Sequence, residues 1–241
     1  MSLTISAASV DALIANPTSI SGYSSSGPII ISGAISHTQA SALNAVNATY
    51  IDATVSETSL ANLGNISVDN STRTTLNKFK FTASDTSSTA AVLNAAQAKT
   101  SLPINATLVA SITESPATDI QALYTGTVPT GIGTVPITVK DTSIAATTLE
   151  AINQFTSGKV TSKATTVTGL AADVGPLLAL ADGVVKIDGD VAVTLTDTSI
   201  DAVKLNTVNS GTTGTVSVTP YWEGGSGNDI AIQILVFSEG I

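Results

Sequence analysis

The triplet Asp-Thr-Ser begins at positions 85, 141 and 197, so the interval is 56 residues both times. Around the later two the match extends: Pro136-Ile137-Thr138-Val139-Lys140-Asp141-Thr142-Ser143-Ile144 is echoed by Val193-Thr194-Leu195-Thr196-Asp197-Thr198-Ser199-Ile200. Fainter copies lie about halfway between, at Glu57-Thr58-Ser59-Leu60, Glu114-Ser115 and Gly169-Leu170. Markers therefore fall near 7, 33, 57, 85, 114, 141, 169 and 197, which gives about eight units of about 28 residues, paired into 56-residue double units. A fixed period of this size restricts the fold, because each unit is one supersecondary element that buries its apolar face only by stacking on the next.

Upstream of each marker the apolar residues alternate with polar ones, as in Ile51/Ala53/Val55, Phe79/Phe81/Ala83, Leu108/Ala110/Ile112, Val135/Ile137/Val139 and Val191/Val193/Leu195. Period two predicts a strand with one buried face. Downstream the spacing lengthens: Ile144, Leu149, Ile152 and Phe155, then Ile200, Leu205 and Val208, predict one face of a short helix. Thr86/Ser87, Thr142/Ser143 and Thr198/Ser199 stand where N-caps are expected. Strands separated by helices pair in parallel through right-handed crossovers. The expectation is an α/β repeat solenoid of parallel strands and short helices.

Three regions are expected. Residues 1–28 hold a degenerate first repeat (Val10, Leu13 and Ile14 on its helix) and a Ser/Gly-rich loop, 29–215 the strand-helix solenoid, and 216–241 an extra C-terminal β segment. In that last segment Gly224-Gly225-Ser226-Gly227 leads into Ile230–Phe237, a long uncharged strand. Ile230, Ile232, Ile234 and Val236 on one face, with Phe237 on the other, make both faces unsuited to water. These five are expected to be buried and to mediate assembly by strand addition.

Hydrophobic residues make up 43% of the chain but aromatics only 4%, so the core is expected to be aliphatic. Eighteen acids against nine Lys and Arg give a net charge of −9, which argues against nucleic acid as a partner. Met1-Ser2-Leu3-Thr4-Ile5 shows neither a basic n-region nor an apolar run, so no Sec signal and no membrane insertion are expected. The acidic, Cys-free, Thr/Ser-rich composition points outside the cell, by a non-Sec route or within a virion.

Glu57, Asp85, Glu114 and Asp141 occupy successive markers. In register they would form a column at about 4.8 Å spacing, where calcium could relieve a repulsion of roughly 1 kcal/mol per neighbouring pair in water. The alternative is that each carboxylate belongs to a helix-entry turn and favours its dipole. Gly224 to Ile232 fits one calcium nonapeptide of the RTX type, with Ala231 small for its apolar position and no second copy following; a glycine linker is the competing reading. No other cofactor is expected. One histidine (His37), no cysteine, one arginine (Arg73) and no G-x-S-x-G or P-loop leave no expected enzyme. Four Asn-X-Ser/Thr sequons, at Asn47, Asn65, Asn70 and Asn105, are expected by chance in so Thr/Ser-rich a chain.

From Val193 to Val216, with Asp197-Thr198-Ser199-Ile200-Asp201-Ala202 and Thr212-Thr213-Gly214-Thr215-Val216, the chain resembles repeats of large surface or secreted proteins of marine cyanobacteria, some with RTX tails, and repeats of their phages' structural proteins. Pro136 to Val160 carries the same pattern, closing on Thr156-Ser157-Gly158-Lys159-Val160. The resemblance implies a structural or adhesive role without catalytic residues. Three functions follow as expectations: a self-assembling extracellular filament or surface layer whose partners are other copies of itself, a virion fibre or capsid-decorating protein, and a solenoid that binds or cleaves cell-surface glycan.

Overall fold

A computed structural model of the chain describes residues 2–46, 48–67, 76–180 and 184–218. It is an α/β structure of short strands in three sheets, crossed by short helices. Residues up to Thr113 together with Thr118–Gly133 form one compact unit, and Glu114–Ala117 with the residues from Thr134 onward form a second.

In the first unit, β1 (Leu3–Ser6), β2 (Ile29–Ile35), β3 (Ile51–Val55) and β4 (Lys78–Lys80) lie side by side in chain order, all parallel. Parallel neighbours need a crossover, and the helices supply it: α1 (Val10–Ala15), α2 (His37–Leu43) and α3 (Leu60–Gly64) each follow a strand, and α4 (Ala90–Gln97) follows the last. The predicted alternation appears directly, with Ile51, Ala53 and Val55 buried beneath Asp52 and Thr54. β2 accommodates its extra length by a register shift between Ile30 and Ala34, where Gly33 adopts φ +92° and a Cβ would lie 3.3 Å from the Ala7 Cβ. Val10 and Leu13 of the degenerate first repeat are fully buried, as their spacing requires, and Ile14 is half-buried.

In the second unit each turn carries two short strands rather than one. β5 (Ile112–Ser115), β6 (Ile137–Val139), β8 (Val160–Ser162) and β10 (Val185–Lys186) share one sheet. β7 (Ser143–Ala145), β9 (Thr166–Gly169), β11 (Ala192–Leu195) and β12 (Val216–Val218) share another. Between them run α6 (Ala146–Phe155), α7 (Ala171–Ala179) and α8 (Ala202–Ser210), preceded in the chain by α5 (Ala117–Thr125). The registers Ile137↔Val160↔Val185 and Ile144↔Val167↔Val193↔Val216 are parallel and place like aliphatic residues in columns. Columns of one small β-branched side chain need no large ring to fill them. The buried set is accordingly Ala, Val, Ile and Leu, with Phe79 and Phe81 its aromatic members among the described residues, their centroids 5.9 Å apart.

Two expectations are corrected. Thr86/Ser87, Thr142/Ser143 and Thr198/Ser199 cap nothing, because the helices begin further on, at Ala90, Ala146 and Ala202; Thr89 and Asp201 accept the cap bonds of α4 and α8, and Ala145 leaves α6 without one. The chain stays extended through Ser143–Ala145, where Ile144 packs as a strand residue. Leu108 and Ala110 are likewise exposed, so Leu108/Ala110/Ile112 is not a strand face. The Asn105 carboxamide accepts both the N–H (3.2 Å) and the hydroxyl (2.9 Å) of Thr107, and Val109 N–H closes the turn on Ala106 O (3.0 Å). That Asx turn breaks the alternation and buries Ile104, Ala106, Val109 and Ile112 instead. Tyr221, Trp222 and Ile230–Phe237 lie outside the described residues, as do Arg73, Asn47 and Asn70.

Where the Thr156–Val160 segment crosses the start of the preceding strand, a Cβ on Gly158 would lie 2.5 Å from the Val135 carbonyl carbon and oxygen. Gly158→Ala is therefore expected to destabilise by about 1–3 kcal/mol, because backbone has to move. Gly126→Ala, where nothing lies within 4 Å, should stay within about 0.5 kcal/mol. Urea midpoints at constant m-value measure both.

Candidate functional site

The side chains written every 56 residues define the polar arrangement most particular to this chain. Asp85, Asp141 and Asp197 are each half-buried, and each presents Oδ2 to the first N–H of a helix that lies 24 to 26 residues earlier. Leu60 N–H of α3 donates to Asp85 at 2.6 Å, Ala117 N–H of α5 to Asp141 at 2.7 Å, and Ala171 N–H of α7 to Asp197 at 2.7 Å. The first N–H groups of a helix have no partner within it, and a carboxylate there also meets the positive end of the dipole. α7 has Leu170 at its N-cap with no side-chain cap bond, and Pro116 precedes α5, so neither helix is closed by a side chain of its own N-cap. α3 has Ser59, whose hydroxyl accepts from Asn62 N–H (3.3 Å) and leaves the Leu60 N–H to Asp85.

What delivers the aspartates is the strand just before them. Ser84, Lys140 and Thr196 each donate their N–H, at 3.0 Å, to the carbonyls of Thr58, Ser115 and Gly169, two residues ahead of the same three helix starts. The next residue in each strand is then held above the open helix end. A repeat in sequence has become a repeat in hydrogen bonding.

A second set, also 56 residues apart, escaped the sequence reading: Thr100, Thr156 and Thr212, all buried. Each hydroxyl donates to a backbone carbonyl 21 residues earlier, Phe79 O (2.7 Å), Val135 O (2.7 Å) and Val191 O (2.6 Å). Each also accepts from the N–H two residues on, at Leu102 (3.2 Å), Gly158 (2.9 Å) and Gly214 (2.9 Å). One hydroxyl thereby satisfies a donor and an acceptor where the chain turns from helix to strand. The signal was available in the 56-residue interval. It was hidden because threonine is so common in this chain that three more occurrences carry little contrast.

The four marker carboxylates have separate engagements. Asp85 and Asp141 close helices as described. Glu114 is exposed and pairs with Lys163, whose ammonium, first by hydrogen bonding and then by charge, holds the Glu114 carboxyl below its ordinary value. Glu57 is exposed beside α3. Among the described residues no three His, Cys, Asp or Glu are gathered in a group that could hold a metal ion. The RTX-like Gly224–Ile232 and the assembly residues Ile230, Ile232, Ile234, Val236 and Phe237 lie outside the described residues.

Remaining polar contacts are local. Asn77 joins the turns of the first unit, donating to Asn44 Oδ1 (2.6 Å) and accepting from Ile51 N–H (2.8 Å). Lys80 pairs with Asp52 at 3.2 Å and Lys204 with Asp201 at 3.6 Å on the surface, where such pairs contribute little. The Lys204 N–H, donating to the Asp201 cap, holds that carboxyl below its usual range. Asn105, the acceptor of one sequon, uses its carboxamide in its own turn. No helix among the described residues is long and apolar enough to cross a membrane.

No protein-family model, no curated protein and no solved structure matches this chain.

Removing one copy of each device should be felt in stability. Asp141→Ala is expected to cost about 1 kcal/mol, within the range of cap losses. Thr156→Val strands a buried carbonyl and an N–H, so about 2 kcal/mol is expected; both are read from chemical denaturation. A change of similar size at Thr142→Ala, which caps nothing, would show that the assignment is misplaced.

The Glu114 carboxyl titrates below its ordinary value in the folded chain, so its contribution is present above that value and lost as pH falls through the lower native one. In Lys163→Met the carboxyl should return toward its ordinary value, followed by its side-chain NMR shift on acid titration.

Proposed function

We propose that this chain is a non-catalytic structural protein, an α/β solenoid of 56-residue double units with an added C-terminal β segment, that assembles with copies of itself into an extracellular filament or surface layer. The observation that carries this reading is the recurrence of the same bonds at the same interval: aspartate to helix start, strand end to the carbonyl before it, threonine to strand start. Each links one turn of chain to the turn before. The repeated polar side chains are thus engaged in holding backbone to backbone, as expected of a scaffold whose stability is a sum over like neighbours. The marker carboxylates that might have faced a ligand are largely engaged in the same way.

Self-association is supported by the sheet edges. β1 ends its sheet, carries no charge, and leaves Leu3 and Ile5 half-exposed. β12 ends another. Unpaired parallel edges without charge or proline are templates for further strands, and Ile230, Ile232, Ile234, Val236 and Phe237 offer a strand able to take part.

Electron microscopy of the purified protein tests assembly: filaments or sheets are expected, and monodisperse particles at high concentration would refute it. Saturable binding or turnover of acidic polysaccharide would replace it with the glycan reading.

The repeat itself is tested by deletion. Removing Asp141–Thr196 joins Lys140 to Asp197, so Asp197 inherits the start of α5 and Thr212 inherits the Val135 carbonyl. This variant should keep its circular dichroism and melt cooperatively. Removing 141–168 supplies glycine where the aspartate is required and should not.

A further inference from the structure

The three copies of the double unit can be compared position by position, and the third is uncovered where the first two are closed. At the first helical position Ala90 and Ala146 are buried, at 0% and 1% exposure, whereas Ala202 is exposed. Three residues on, Leu93 and Leu149 are both at 0%, whereas Leu205 is half-exposed. Just upstream, Ser88 and Ile144 are buried and Ile200 is half-exposed. One turn further along the helix the difference disappears, with Ala96, Ile152 and Val208 all at 0%. The side of α8 that faces back onto α7 is therefore complete, and the side that faces onward is open.

In the earlier copies a following helix provides the cover. α5 comes after α4 and is tied to it by Asn94 Nδ2 donating to Asp119 O at 2.9 Å, and α7 comes after α6 and packs against it. After α8 no further helix occurs among the described residues, and β12 is the edge of its sheet. Ile200, Ala202, Leu205 and the outer edge of β12 thus form an apolar surface whose occupant is missing.

We infer that the occupant is the chain's own segment Ile230–Phe237, laid over the open side of the third copy. Residues 219–229 connect it to β12, and a dozen residues can span up to about 40 Å, well beyond the roughly 14 Å length of a nine-residue helix such as α8. Its composition matches the surface: Ile230, Ile232, Ile234 and Val236 project to one side and Ala231, Leu235 and Phe237 to the other, with no charge between them. A strand apolar on both faces is poorly suited to a surface tail. The glycines at 224, 225 and 227 permit the chain to reverse before it. Two apolar surfaces that water disfavours are thereby removed by one contact, and a terminal repeat acquires the cap that stacked repeats require.

The inference rests on the repeat reading but not on assembly, so particles without filaments would leave it standing. Amide hydrogen exchange of the full chain tests it, comparing peptides from 202–218 with their covered counterpart at 146–162. In the wild type the two should be protected to within about tenfold. The double variant Ile232→Asp/Ile234→Asp should speed exchange at 202–218 by at least a hundredfold while leaving 146–162 unchanged. Exchange at 202–218 already a hundredfold faster in the wild type, or unaltered by the double variant, would overturn the proposal. Protection of 202–218 that disappears on dilution would overturn it too, by assigning the cover to a second copy. Fast exchange at 146–162 in the wild type would overturn the repeat reading, and this inference with it.

Discussion

A helix start with no partner for its first N–H is the constraint from which much of this architecture follows. The helices here run from five to ten residues, too short to be stable by propensity alone, so their ends weigh heavily against their middles. α5 and α7 follow Pro116 and Leu170, neither of which can accept the orphan N–H with a side chain. The acceptor comes from the next turn of chain, and it arrives in place only if the intervening helix and strand have the correct length. Capping by a distant aspartate therefore measures chain length as well as closing a helix, which is why the interval between aspartates is constant while the loops differ.

The threonines perform the complementary task at the other end of the crossover. A buried hydroxyl that both donates and accepts avoids the cost of leaving either backbone group unpaired, about 1–3 kcal/mol each. Gly158 and Gly214 admit the close approach that this bond needs, whereas the first copy, with Leu102 at the matching position, keeps a longer bond of 3.2 Å from the N–H to the hydroxyl. Between these polar fixtures the core needs little individuality. Columns of Ile, Val, Leu and Ala repeat the same shape, so specificity of register is carried by a few hydrogen bonds rather than by interlocking large side chains.

This division explains what could be read in advance. Strand faces such as Val135/Ile137/Val139 and Val191/Val193/Leu195 were legible because alternation is a local property, enforced by the pleat. The Leu108/Ala110 failure is also local: Asn105 and Thr107 form an Asx turn whose side-chain bond overrides the pattern of the residues after it. Capping was misassigned to the residues beside the markers because sequence proximity was taken for spatial proximity. Ser36-His37-Thr38-Gln39, by contrast, forms a reciprocal capping box at the start of α2, a pattern contained within four residues and legible by rule.

By itself the sequence determined the period, the parallel α/β class, the aliphatic core and the identity of the recurring aspartates. Those properties depend on residues near one another in the chain, or on plain repetition. Only the tertiary structure decided that each aspartate serves the preceding helix rather than its own, that the recurrent threonines are bolts and not surface filler, and that the onward side of the third copy is open. Each of these is a relation between residues some twenty or more positions apart, set by the register of parallel strands. A linear pattern records that two residues recur together; which backbone group each one meets is fixed only when the turns are laid side by side.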